Sequence, residues 1–495
     1  MENISYHHFS FPFQWSINGS VERTFSEKTD LSQVQLKDNP GWKRVAIAEN
    51  ENDHNVLYDE KNYFYKFIHN ALYDNGTSSS LLLHFERTEP QLSDTGKRKK
   101  VVFRIETRDR TYELTTDAVN LNLYSTGVGV LSFYLYNNQY TDPLDILRIN
   151  QLGRRIFPPY IESVNDRKLI AKSIEIKGLD GNGDHYREDF SGYSNKSGCN
   201  QPARFVESLI SDIAQNIHIE PVLDDRMFVE CWYKNDQWTE AFKNEGLNSF
   251  LHSDGWHDFV FVDEPDMRGC HNEEMQRLLA EEATYRRWQQ DGTLYGVSRN
   301  SMVCTTYRHC PGHFLKTFET IYARMVELIL VQKASVLRFS AEITNISKDS
   351  GKDAYKKVSS LHSGYIRFVN QMHFTEVSAQ TPGIELYQML YSRMNIGRQV
   401  DKLNDEIQEL YNYTTLQEEN KTNKTMSILT WVTTIALPIT VIAGIFGMNN
   451  LAFTGEGEGS PNAWYNHFSC QFAIIIIITA LVFLAVSCIL RRKKK

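Results

Sequence analysis

The sequence predicts an N-terminal α/β or α+β domain, a long helical stalk and two C-terminal transmembrane helices. Three observations carry that expectation. Strand-like runs mix with amphipathic stretches up to residue 310, and apolar positions then recur at steps of three and four as far as Leu410. Two uncharged stretches of membrane-spanning length follow, at 426–446 and 470–490.

Over residues 1–310 the runs 80–86, 100–105, 226–233 and 258–262 are rich in branched and aromatic residues and read as strands, whereas 205–216 and 272–289 read as helices. Mixed elements of this kind build an α/β or α+β domain. The chain has 495 residues, enough for two or three cores, and its 41% hydrophobic and 23% charged residues are the proportions of a folded protein. A formal charge of -8, with no Lys/Arg stripe outside the last five residues, argues against a nucleic-acid partner. The cysteines, 7 in all and without a short regular framework, fit a reducing compartment, so the bulk is expected in the cytosol. The opening MENISYHHFSFPFQWSINGS has neither a basic segment before an apolar run nor an Arg-rich amphipathic one, and predicts no signal or transit peptide.

Between 311 and 383 the residues Phe314, Phe318, Ile321, Met325, Leu328, Val336, Phe339, Ile343 and Ile346 share one helical face. The turn SKDSGKD (347–353) follows, and Val358, Leu361, Tyr365, Val369 and Met372 return as a second helix. This pattern predicts an antiparallel hairpin closed by Pro382-Gly383. From 384 to 425, Leu386, Met389, Ile396, Val400, Leu403, Ile407 and Leu410 keep the spacing beside Lys402, Asp405, Glu406 and Glu409, which marks a stalk helix. It is expected to run unbroken from Ile384 to Phe446, about 95 Å. A helix that long needs neighbours along its length, which predicts an oligomer.

Residues 426–446 and 470–490 contain no Asp, Glu, Lys or Arg, and each is long enough to cross ~30 Å of hydrocarbon. A buried core hairpin is the alternative. The basic tail 491–495 (Arg491-Arg492-Lys493-Lys494-Lys495) is expected to stay inside, so both termini are cytoplasmic and 447–469 forms an external loop. Trp431 near one border and Trp464-Tyr465 near the other suit the interfacial aromatic belts of a cell (plasma or inner) membrane.

At about 100° per residue, Asn423, Met426, Thr430, Thr433, Leu437, Thr440, Gly444 and Gly447 form one stripe. Ile428, Val432, Ile435, Ile439, Ile442 and Phe446 lie opposite. Polar groups in hydrocarbon are costly unless they face protein or water. The stripe therefore either lines water or packs against another helix, where Thr bonds its own helix and Gly permits close approach. Pro438 sits within this span, and Gly447-Met448-Asn449 ends it.

The segment TMSILTWVTTIALPITVIAGIFGMNN resembles the first transmembrane helix and Gly-Met-Asn signature of the CorA-type magnesium and divalent-cation transporters; the likeness is tight over 423–449 and looser over 311–495. The resemblance implies a homopentameric funnel in the lipid bilayer that conducts hydrated divalent ions, Mg2+ foremost, as cargo; no cofactor is implied. Asn449 would be the ring that meets the hydrated ion, with Gly447 and Met448 shaping the turn. Thr440 would form a hydroxyl ring, Leu437 and Met426, joined by Leu429, apolar constrictions, and Asn423 the cytosolic mouth; Thr430 and Gly444 would complete the pore lining. Neutral carboxamide oxygens can accept from an ion's tightly held waters without stripping them. The family's frequent Tyr before the signature is Phe446 here, and its acidic segment after it is missing, GEGEG (455–459) being the nearest acidic feature. Asn412 stands where a regulatory stalk acid is common. Zn2+, Co2+ or Ni2+ is the alternative cargo, and a membrane-anchored cytosolic enzyme or metal-sensing scaffold the alternative class; no Walker pattern or catalytic constellation points to an enzyme.

Three further clusters have ordinary readings. Cys304, His309, Cys310 and His313 lie close in sequence, but not at the spacing of a familiar zinc site. Asp180, Asn182 and Asp184 open like a calcium loop, yet His185 and Ser191 stand where Gly and Glu are needed, so a Gly-rich turn is expected. His252, Asp254, His257 and Asp258 have no nucleophile beside them and read as exposed loop polars.

Overall fold

The computed structural model describes residues 3–447 apart from 19–22, 38–40, 47–56, 88–99, 157–169, 180–184, 191–201, 224–225, 245, 247, 266–267 and 349–353. Its central strand is Ser5–Ile17, 13 residues long and buried almost throughout. The side chains alternate across the sheet. Phe9, Phe11, Phe13 and Trp15 enter one apolar core, whereas Tyr6 enters a second on the opposite face. His8 and Ser10, also buried, fall on the even-numbered face with Tyr6.

Around this strand the sheet runs Thr284–Tyr285, Leu294–Val297, Ser301–Thr306, Phe228–Lys234, Ser5–Ile17, Val128–Asn137, Thr111–Tyr124, Val102–Glu106, Ser173–Lys177 and Arg187–Asp189. Off that path, Trp42–Arg44 pairs with Leu82–Arg87, which pairs with Thr111–Tyr124, and Ile217–Pro221 pairs with the central strand. The pairings are antiparallel except for Phe228–Lys234 beside Ser301–Thr306. An antiparallel sheet with helices following in sequence is α+β rather than α/β. The expected strands at 80–86, 100–105 and 226–233 are present as Leu82–Arg87, Val102–Glu106 and Phe228–Lys234; the expected helices at 205–216 and 272–289 are the shorter Arg204–Ser211 and Glu273–Ala283, the latter running straight into the strand Thr284–Tyr285.

The run 258–262 is not a strand. It belongs to the helix Asp254–Phe261, whose start is capped by the Ser253 hydroxyl accepting from the Trp256 amide and whose end is Val262 in the left-handed region. Trp256, Phe259 and Val260 bury one side of that helix in the first core. The helical spacing at 256, 259 and 260 thus outweighs the β-like run of aromatic and branched residues.

The second core is closed by the helix Ala323–Lys348, which continues from a π-helical turn at Phe318–Tyr322. This helix buries unusual company for a core: Glu327, Gln332, Lys333 and Arg338. Each is tied down. Glu327 accepts from the Tyr124 hydroxyl at 2.6 Å and from the Asn122 amide, and its other oxygen lies 3.5 Å from Arg324. Arg338 donates to the carbonyls of Trp15 and Gly127, and a Cβ at Gly127, whose φ is +73, would collide with the guanidinium. His8 pairs with Glu230 at 2.5 Å across the sheet and stacks on Tyr134.

The return helix is Ala354–Gln371, with Val358, Leu361, Tyr365 and Phe368 buried. Pro382 does not close the hairpin. It occupies the first turn of a further helix, Thr381–Arg393, where its missing N–H costs no helical bond. The stalk is correspondingly broken: Asn395 takes φ 53, the left-handed backbone that ends helices, and the long helix starts at Ile396 rather than Ile384. From there it is continuous to Gly447, 52 residues. Ile396, Val400, Leu403 and Ile407 form its buried seam, and the Tyr365 hydroxyl donates to the Val400 carbonyl at 3.1 Å. By contact density the chain divides into Met1–Tyr411 and Asn412–Lys495.

Candidate functional site

Helical backbone from Ile396 to Gly447 carries all of the expected pore-lining residues: Asn423, Met426, Thr430, Leu437, Thr440 and Gly444. Gly447 is its last residue. Met448 and Asn449 lie outside the described residues, as do the external loop, the second expected span at 470–490 and the basic tail. Side chains are described along this helix only as far as Val441, Ile439 excepted. Among the described residues no helix is long and apolar enough to cross a membrane.

The helix exposes large apolar side chains all round. Met426 is 56% exposed and Leu437 63% on the expected stripe, while Ile428 is 64% and Val432 57% exposed on the opposite face. Leu429, Ile435 and Val441 are exposed as well. A helix apolar on every side is suited to burial in protein or lipid, not to water.

Threonine chemistry refines the stripe. Thr430 donates its hydroxyl proton to the Met426 carbonyl at 2.7 Å, and Thr434 to Thr430 at 2.6 Å. Thr433 donates to Leu429 or Thr430, and Thr440 to Ala436 or Leu437, all at 2.9–3.0 Å. Every one of these donors is satisfied inside its own helix, which removes the penalty of placing it in an apolar medium. Each oxygen keeps a lone pair directed away from the backbone and able to accept from water. Both readings of the stripe, water lining and helix packing, are compatible with this geometry. Pro438 lacks the N–H that would bond the Thr434 carbonyl, yet the helix passes through it.

Cys304 is buried in the strand Ser301–Thr306, where burial pushes its thiol well above the ordinary range, while His313 is exposed and stacks on Phe314. Among the described residues no group of three or more His, Cys, Asp or Glu is placed to hold a metal ion. Asp180, Asn182 and Asp184 fall outside the described residues. The expectation of exposed loop polars at 252–258 needs correction: His257 and Asp258 are buried within a helix. Asp258 is held by Arg268 at 2.7 Å, which also reaches Asp254 at 2.9 Å, so these acids anchor the following loop.

Sequence reasoning passed over the polar cluster beneath Ala323–Lys348. Its carboxylates and cations are spread over distant segments, with Tyr73 donating to Glu60 at 2.9 Å and Arg324 lying 3.4 Å from that same Glu60. At about 100° per residue Glu327 and Arg338 fall on the side of the helix away from its predicted apolar face, so spacing carried no signal of their burial.

Comparison with known proteins finds a family that this helix resembles. Residues 310–493 match the family described as CorA-like Mg2+ transporter protein. No curated protein matches. Among solved structures, the CorA magnesium transporter from Methanocaldococcus jannaschii shares 15% identity over 56% of this chain and 95% of its own, with a TM-score of 0.19. The full-length CmaX protein shares 10% over 53% of this chain and 89% of its own, with a TM-score of 0.18. Scores that low carry no argument about shape, so the assignment rests on the family match. Over residues 310–493 this chain is similar to the CorA-like Mg2+ transporter family.

Proposed function

We propose that the chain assembles as a homopentameric membrane channel that conducts hydrated divalent cations, with Mg2+ as the principal cargo. The observation that carries this reading is the CorA-like match over 310–493, which takes in the whole of the long helix. Two physical features support it. The helix exposes large apolar side chains on opposite faces between Met426 and Val441, surface that protein or lipid would cover, and its threonine hydroxyls are internally satisfied while still offering acceptor oxygens.

In this reading Asn449 provides the outer ring of carboxamide oxygens, Gly447 and Met448 shape the turn that presents it, and Thr440 supplies a hydroxyl ring below. Leu437 and Met426 act as dry constrictions, Thr430 and Gly444 line the path between and above them, and Asn423 marks the cytosolic mouth. Both termini are cytoplasmic. An inward-negative potential of 100 mV contributes about 4.6 kcal/mol per divalent ion, so no chemical energy source is required.

The test is flux. Purified protein reconstituted in liposomes should take up Mg2+ down an inside-negative potential, read with a divalent-sensitive dye. No uptake of any divalent ion by a properly assembled oligomer would overturn the reading. Parallel arms with Zn2+, Co2+ and Ni2+ address cargo, because the acidic segment usual after the signature is absent here.

A further inference from the structure

Proline nitrogen carries no hydrogen, so Pro438 leaves the Thr434 carbonyl without its helical donor although the helix continues to Gly447. A hydroxyl side chain can serve the carbonyl three or four residues before it, as Thr430, Thr434 and Thr440 do here. The two positions that could serve Thr434 in this way are Leu437 and Pro438, and neither has a polar side chain. Its own helix therefore offers this carbonyl no side-chain donor.

Nor does the carbonyl open into the proposed ion path. At about 100° per residue Thr434 and Pro438 stand about 80° and 120° round the helix from Gly444, which lies mid-stripe. A peptide oxygen in hydrocarbon is too costly to stay unpaired, so the donor must come from another helix. Copies of the same helix would bring threonines to this depth, but Thr430, Thr433 and Thr434 already give their single protons to their own backbone. Trp431, one turn nearer the inner border, leans away, because helical side chains tilt toward the N-terminus. The second expected span, 470–490, returns past the same level. Thr434 lies 8 residues beyond Met426, about 12 Å in from the inner border, and Thr479 lies 11 residues before Leu490, about 16 Å in. The Thr434 carbonyl points along its helix toward that level. Ser487 and Gln471, the other hydroxyl and amide donors of that stretch, stand about 4 Å and about 28 Å in.

We propose that the proline gap is the docking point for the second span, with the Thr479 hydroxyl donating to the Thr434 carbonyl. The inference rests on the membrane-span reading above and names the partner of the same helix. It gives Pro438 a use beyond bending. The isoleucine run 474–478 that precedes Thr479 presents alike side chains on every side, so it has nothing of its own to fix depth or rotation against a neighbour. One hydrogen bond made in hydrocarbon supplies that register, because sliding or turning the second span leaves the carbonyl unpaired.

A double-mutant cycle on the full-length protein in detergent tests the contact, with unfolding followed in an SDS titration. Thr479→Val should raise the unfolding constant about threefold, the size typical of hydrogen bonds between membrane helices. After Pro438→Ala, which restores the N–H and occupies the carbonyl, the same change should have almost no effect. Ser487→Ala, at another depth, should act equally in both backgrounds. Equal effects of Thr479→Val with and without Pro438 would overturn the proposal. Where Pro438→Ala does not fold, crosslinking decides. With Cys470 and Cys488 replaced by Ser, a short thiol-to-thiol linker should join Thr434→Cys to Thr479→Cys, within or between subunits, but not to Gln471→Cys; no bond to position 479 would overturn the proposal. Normal flux without this coupling would leave transport standing and remove the contact, whereas coupling without flux would do the reverse.

Discussion

The two contact units handle apolar side chains in opposite ways. Up to Tyr411 large apolar residues are mostly enclosed, with two cores on either face of the sheet and few exceptions such as Phe67 and Ile366. From Tyr413 to Val441 the same residue types stand exposed one after another: Tyr413, Leu416, Met426, Ile428, Leu429, Val432, Ile435, Leu437 and Val441. The first region solves its burial problem within one chain. The second, taken alone, leaves it open, and contiguous exposed apolar surface of that extent marks an interface with protein or membrane. Polar groups divide in the same way. In the first region buried polar side chains find partners across long sequence separations, as His8 does with Glu230, whereas in the second the threonines are satisfied within one helical turn.

The sharpest way to test that contrast is at its far end. Asn449→Ala should leave the first region intact and the oligomer assembled, yet reduce divalent uptake to near background; wild-type flux would make the tripeptide a structural turn. A second test divides the chain. Residues 1–411 expressed alone should be soluble without detergent and melt cooperatively, while 412–495 should partition into detergent; aggregation of 1–411 in buffer would show that its burial is not self-sufficient. Third, replacing Leu437 and Met426 together by Ser should wet the proposed constrictions and raise resting leak several-fold in liposomes. An unchanged leak would return both to ordinary packing.

Smaller effects probe the buried polar groups. Glu327→Leu removes the acceptor of Tyr124 and Asn122 and one partner of Arg324, and should destabilise the first region by about 3 kcal/mol in a denaturant titration. His7, fully buried against Asn150 and Cys231, has its imidazole lowered by burial to about 4. The unfolded ring takes its proton near 6.5, so stability is fully present above that value and falls by ~3 kcal/mol as the pH drops through 4. His7→Gln should flatten that part of the pH profile.

Local patterns were legible in the sequence and distant pairings were not. The helical seam Ile396, Val400, Leu403 and Ile407 and the stripe of the first expected span announce themselves by spacing alone. The central strand Ser5–Ile17 does not, because His8, Ser10 and Gln14 interrupt its apolar run and its partners lie more than a hundred residues away, Phe9 facing Phe133 on one side and Val229 on the other. The break at Asn395 was hidden for a different reason: no Gly or Pro occupies the turning position itself, Gly397 falling inside the next helix, and Asn is among the few residues that enter the left-handed region readily. Lys333 reads as an ordinary helical lysine until its acceptors, Met394 and Gln399, are brought to it by the fold.

The continuity of the helix from Ile396 to Gly447 also constrains how the chain can change in length. Inserting one residue anywhere before Pro438 would rotate everything beyond it by about 100° and advance it by about 1.5 Å. The threonine stripe would then point elsewhere although no threonine had been touched. Seven-residue insertions leave an angular error of only ~20°, so this segment should tolerate gain or loss in whole heptads far better than in single residues. Its length works as a phase setting, much as tooth count does in a gear train.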